Sequence, residues 1–277
     1  MNVTAPWMHT FRELAAQLRG DSQPSIDELN SLLRLGVVSG GGAPLRFRAA
    51  GELPEVDYER HIYETGEVST RDGSWHDTFN ALAWCRWPRL KAAMNALHYR
   101  HLEEAKGGRR GPVRDALTLL DESGAVVVSR ERALLAALAE RDWERAFVGM
   151  RDAWAGSRCL VCGHALLEKL RAPYKAVTAH TLLLQLDPSA AEPETPAFPA
   201  WLDERLGEAL RTGGLCDSPA ALSPLPLAGI PGWWPAGESR EVQDAGFYAD
   251  RAVFRPARPG QAPAPVLRAS AATIAIG

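Results

Sequence analysis

The chain has 277 residues, 46% hydrophobic and 23% charged, with a net charge of −3. That length can bury a full core, and the balance of charge does not indicate a dominant nucleic-acid-binding face. Four cysteines do not make a disulfide framework, and no apolar run approaches the ~20 residues of a membrane-spanning helix.

Met1 to Gly20 carries His9, Arg12, Glu13 and Arg19 among its apolar residues and lacks a signal-peptide core, so a cytoplasmic location is expected. Phe11 to Leu18 reads as a helix. Ser25 to Leu35 reads as a second, with Ser25 as N-cap and Glu28 as its capping-box partner. Gly40-Gly41-Gly42-Ala43-Pro44 is expected to be a flexible loop. It lacks the Gly-Lys-Ser/Thr ending of a phosphate-binding loop. Leu45 to Arg48 is expected to be a short strand.

The stretch from Trp75 to Trp84 sets polar groups beside an apolar helical stripe. Trp75, Phe79, Leu82 and Ala83 share one face, with His76, Asp77 and Asn80 at its edge. Such groups belong at a core boundary or cleft wall, where pKa values shift. Pro88 ends or kinks that helix and suits the first turn of the next, expected to run to about Leu102. There Lys91, Asn95 and His98 form a second polar stripe at i, i+4, i+7.

Lys106 to Pro112 reads as a loop, its basic residues a solvated cluster. Ala116 to Leu120 and Ala125 to Val128 read as a β-hairpin around Asp121-Glu122-Ser123-Gly124, so Asp121 and Glu122 are taken as turn residues. Helices are expected over Arg130 to Arg141, Trp143 to Trp154 and Val161 to Leu170. Val177 to Leu186 suits a long strand, and Asp187 to Pro199 a linker. Pro199 to Arg211 suits a helix stopped by Gly213-Gly214. Phe247 to Arg255 suits a short strand, and Ala262 to Gly277 a disordered or docked tail. The expectation is an α+β fold, mainly helical with a small antiparallel sheet, in one domain over 1–277.

Four blocks carry a family resemblance. The first is Arg71 through His98. The second joins Arg110-Gly111-Pro112, Arg114-Asp115-Ala116 and Asp121 to Gly124. The third joins Gly163-His164-Ala165-Leu166-Leu167-Glu168, Pro173-Tyr174-Lys175 and His180. The fourth joins Gly229 to Trp234, Phe247-Tyr248 and Phe254-Arg255-Pro256. With these, the chain resembles the proteobacterial domain of unknown function 3025 over roughly residues 55 to 256. The resemblance implies a bacterial protein and no particular activity.

The residues themselves suggest two function classes. The first is a metal-dependent hydrolase. His164 and Glu168 lie at i, i+4 on one helical face and, with His76 and His180, offer imidazole and carboxylate ligands for zinc, manganese or iron. His76, Asp77, Asn80 and Asp115 are the candidate catalytic groups, with His98 in reserve. No complete metal motif such as His-Glu-x-x-His is present. The second class is a non-catalytic binding or scaffold protein, whose His and Asn side chains brace the fold through hydrogen bonds. The partner is then an unidentified small molecule or protein. Cys159-Leu160-Val161-Cys162-Gly163-His164 has ligand spacing for zinc, but two small buried thiols at a helix start are the simpler expectation.

Overall fold

A local capping signal sets the second helix. The computed structural model describes residues 2–18, 23–104, 111–187, 197–234, 245–270 and 273–276. Helix α1 (Arg12–Ala15) precedes α2 (Ile26–Ser31), where Ser25 and Glu28 close the expected capping box. Strand β1 (Arg46–Ala49) pairs in parallel with β2 (Glu67–Thr70), and α3 (Tyr58–Thr65) runs between them. Gly66 ends α3 at φ 75°, and a Cβ there would lie 2.2 Å from the Pro44 carbonyl, so only glycine fits. The Gly40 loop is built rather than loose. Ser39 Oγ donates to Tyr63 O, accepts from the Gly41 and Ala43 amides, and Gly40 N–H donates to Asn95 Oδ1.

Two long helices follow, α4 (Trp75–Arg86) and α5 (Pro88–Glu104). Trp87 breaks the helical conformation at φ −120°, ψ 51°, and Pro88 opens the next helix as expected. Helix α6 (Pro112–Ser123) then leads directly into β3 (Gly124–Ser129). The expected hairpin is therefore wrong. Ala116, Leu117 and Leu120 are buried on one helical face, and Asp121-Glu122-Ser123 is the last turn of α6, not a β-turn.

The remaining elements are α7 (Arg132–Glu140), β4 (Arg158–Val161), α8 (His164–Lys169), β5 (Thr178–Leu186), α9 (Phe198–Thr212), β6 (Ser223–Pro226), α10 (Ala245–Tyr248), β7 (Val266–Ala269) and β8 (Ile274–Ile276). Val161 thus ends a strand instead of beginning a helix. Residues 143–154, expected to be one helix, break into short π and 3-10 turns. Phe247 to Arg255 begins as α10 and continues as turns, because Phe247, Tyr248 and Phe254 gather into one aromatic cluster that a straight strand would separate. The segment from 266 adds β7 and β8 to the sheet, so a large part of the expected tail is docked.

The class is α+β. The larger sheet has the order β4-β3-β5-β7-β8, with β6 also on β5. It is mixed rather than antiparallel, since β3 and β7 both run parallel to β5. All six residues of β3 are buried, as suits a strand covered on both faces. The buried hydrophobic residues form one continuous cluster from Ala5 to Ile274. No helix among the described residues is long and apolar enough to cross a membrane. Residues 105–110 and 188–196, which hold most of the expected basic loop and linker, lie outside the described residues.

Helix α9 packs closely on the start of α5. A Cβ at Gly207 would come within 2.8 Å of the Arg89 carbonyl carbon. Asp203 of α9 accepts from Arg89 N–H at 3.0 Å and Leu90 N–H at 2.9 Å, capping α5 from a neighbouring helix. Burial raises its carboxyl pKa to about 6, against those backbone bonds and nearby arginines. Folding therefore favours its protonated form. The penalty is absent below the unfolded value near 4, grows as pH rises through 6, and then stays constant at about 3 kcal/mol. Wild-type stability, measured against Asp203→Asn by denaturant unfolding, is expected to fall between pH 4 and 6.5. A pH-independent difference would contradict this.

Candidate metal centre

The polar stripes of α4 and α5 meet α6 and α8 around a cavity of about 440 Å³. Its wall includes Tyr58, Glu59, His76, Asn80, Glu122 and His164. Helix α4 places His76 in its first turn, anchored by Ser74, whose Oγ accepts from Asp77 N–H at 3.2 Å. Helix α8 begins at His164.

Two glycines bring α6 and α8 together. A Cβ at Gly124 would lie 2.0 Å from the Leu120 carbonyl oxygen of α6 and 2.8 Å from Cys162 Sγ just before α8, and one at Gly163 would lie 2.3 Å from Gly124 N. Cys162 and Gly163 amides both donate to Gly124 O, at 3.0 and 2.8 Å. This approach lets His164 Nδ1 donate to the Asp121 carbonyl at 2.8 Å. Gly124→Ala is expected to force these backbones apart and destabilise the fold by about 1–3 kcal/mol, read by denaturant unfolding. Unchanged stability would show that the contact relaxes without cost.

The two imidazoles converge. His76 Nε2 and His164 Nε2 are 3.1 Å apart, with ring planes at 75°. His76 Nδ1 faces Glu168 Oε2 at 3.1 Å, and His164 Nε2 lies 3.6 Å from Glu122 Oε2. Ligand atoms of His76, Glu122 and His164 all lie within 4.8 Å of one another. A tetrahedral ion with bonds of about 2.0–2.1 Å holds its ligand atoms about 3.3 Å apart, so two of the observed separations straddle that value. Burial pushes the His164 imidazole down to about 4, against the pull of Asp121, which leaves it neutral. Burial, then repulsion from Asp121, raises the Glu122 carboxyl.

Beneath these rings is a buried ion pair. Lys91 Nζ donates to Asp121 Oδ1 at 2.5 Å and to Asn80 Oδ1 at 2.9 Å. Burial opposes ionisation of Asp121, but the Lys91 ammonium, by its charge and its hydrogen bond, outweighs it and lowers the pKa. Asn80 Nδ2 donates to the Tyr58 hydroxyl at 2.9 Å. Tyr58 leaves 43% of its surface exposed, yet burial of the hydroxyl end, with Glu59 and Asp121 nearby, raises its pKa and keeps the proton on. Asn95 Nδ2 donates to the carbonyl and carboxylate of Glu59, each at 2.8 Å.

The other sequence candidates lie outside the cluster of ligand atoms, although Asp77 and His98 both line the cavity. Asp77 is held by Arg71 through the backbone N–H, Nε and Nη2 at 2.7, 2.8 and 2.9 Å. Burial raises its carboxyl, but these bonds outweigh that and lower the pKa, so Asp77 acts as a clamp on the turn before α4. Glu168 contacts the back of His76 instead of sharing an ion with His164. His98 lines the cavity. Asp115 sits in the first turn of α6 and is not among the cavity-lining residues. His180 Nδ1 lies 2.9 Å from Ser123 Oγ, away from the histidine pair's hydrogen bonds. Cys159 and Cys162 are free and buried, and burial raises both thiols, Cys159 to about 12. Neither belongs to the cluster of ligand atoms.

Residues 45–258 match the family model described as Protein of unknown function (DUF3025), and the chain belongs to that family. No curated protein and no solved structure matches it.

Proposed function

We propose that this protein is a metal-dependent hydrolase whose ion is held by His76, His164 and Glu122. One observation carries the reading. Both histidines have Nδ1 against an oxygen acceptor, which directs the Nε2 lone pairs towards each other at 3.1 Å with a carboxylate beside them. Two lone pairs at that separation repel unless a cation or a proton lies between them. The His₂Glu donor set suits zinc, manganese or iron.

A divalent ion bound there supplies Lewis acidity and acidifies a water towards neutrality. The protein's residues arrange the rest. Glu168 and the Asp121 carbonyl fix the tautomers of the two ligands. Lys91 neutralises Asp121 behind them. The Tyr58 oxygen already accepts from Asn80, so its O–H is available to donate to a substrate oxygen in the cavity. Asp77 and Arg71 position the start of α4.

A non-catalytic binding or scaffold role is the second reading, because 3.1 Å is also an N–H···N distance. Elemental analysis of protein purified without a histidine tag discriminates between them. About one equivalent of metal, with a melting temperature lowered by chelator, is expected. Metal-free protein that regains none on dialysis, with melting unchanged by chelator, supports the proton-bridged pair and overturns the hydrolase.

A further inference from the structure

A second cavity, of about 370 Å³, opens on another face of α5. Four arginines line it, Arg34, Arg86, Arg89 and Arg211, against one acidic residue, Asp203. Asp203 is already committed to the amides at the start of α5. Among the described residues, none of the four guanidinium groups forms an ion pair. Arg86 lies 5.9 Å from the Trp87 ring centre, and its Nε is buried with no hydrogen-bond partner. Burial disfavours the Arg86 charge and outweighs the favourable fields of Glu13 and Asp203, while Arg34 adds a smaller repulsion. An uncompensated, partly buried cation is costly, and a bound anion would relieve it.

The α5 wall continues past Arg89 as the small apolar residues Ala92, Ala93 and Ala96, and it is held in place. The Gly40 backbone packs so closely on α5 that a Cβ would lie 2.7 Å from Ala92 O and 2.5 Å from Ala96 N. Its amide is pinned by Asn95. A preformed wall lowers the ordering cost of binding. The volume suits a metabolite-sized ligand.

We propose that this cavity binds a small organic phosphate. Its doubly charged head meets Arg34 and Arg86, since guanidinium groups match phosphate oxygens in a bidentate fork. Its short apolar body lies along Val38, Ala92 and Ala96. The assignment is independent of the metal centre.

Calorimetric titration of chelator-treated, metal-free protein tests it, using inorganic phosphate and phenyl phosphate against chloride at matched ionic strength. Both phosphates are expected to bind saturably, the phenyl ester more tightly. Arg86→Gln and Arg34→Gln should each weaken binding by about tenfold or more, and His76→Ala should leave it unchanged. Arg34 is exposed, so its variant remains informative if Arg86→Gln fails to fold. No saturable binding, wild-type affinity in Arg34→Gln, or equal loss in His76→Ala overturns the proposal. Phosphate binding with no gain for the phenyl ester overturns the ester assignment.

Discussion

Glu168→Gln is expected to weaken metal binding by about 10–100-fold with the fold intact, and His164→Ala to abolish stoichiometric binding. Glu168 touches no ligand atom of the cluster directly except through His76, whose Nδ1 it faces at 3.1 Å. A carboxylate in that position raises the basicity of the ring and holds its tautomer, and removing such a partner typically costs metal affinity in this range. The Glu168 side chain is 41% exposed, so its amide variant leaves no buried charge behind. His164 is different. It is 4% exposed, and its loss also frees the Asp121 carbonyl, so some destabilisation accompanies loss of the ion. Competition with a chromophoric chelator reads both variants. A ligand at a hundredfold excess over its dissociation constant stabilises a protein by about 2.7 kcal/mol. The melting temperature of the wild type should therefore depend on added metal, and that of His164→Ala should not. Wild-type affinity in Glu168→Gln would remove Glu168 from the centre.

Lys91→Met is expected to destabilise the protein by about 3–5 kcal/mol, the usual cost of breaking a buried pair from one side. Lys91 is 6% exposed along its side chain and Asp121 19%. Without the ammonium, Asp121 is left as a buried carboxyl with no compensating charge beside the His164 ring, and the Asn80 carbonyl loses its donor. A drop of roughly 10 °C in melting temperature follows for a chain of this size. The double variant Lys91→Met with Asp121→Asn should recover part of the loss, because no isolated charge is left. Failure of the double variant to recover anything would assign the cost to packing against Trp84, over whose ring the ammonium sits at 5.2 Å.

Elements with local signals were legible from the sequence. Ser25 and Glu28 announced α2, Pro88 announced the joint between α4 and α5, and a run rich in Thr, Val and Leu announced β5. Half of the candidate site was legible too. The edge of the apolar stripe marked His76 and Asn80, and the i, i+4, i+7 spacing marked Lys91, Asn95 and His98. Glu122 was missed because Asp-Glu-Ser-Gly has turn composition. A usable signal lay just upstream: Val113, Ala116, Leu117 and Leu120 stand at i, i+3, i+4, i+7 behind Pro112, which predicts a helix running on through Asp121 and Glu122. The arginine-lined cavity had no such signal, since its members come from three separated stretches of chain.

The sequence by itself determined the α+β class, the family, and a set of polar residues at the margin of two amphipathic helices. Caps, prolines and periodicity act over a few residues, so they can be read without knowing what packs where. Only the tertiary structure decided which polar groups meet. Gly124 and Gly163 let α6 and α8 touch, and that contact pairs His164 with His76 and Glu122. It also turned Glu168 to the back of His76. Those pairings span up to 92 residues of chain, and no local pattern specifies the partner of a side chain so distant.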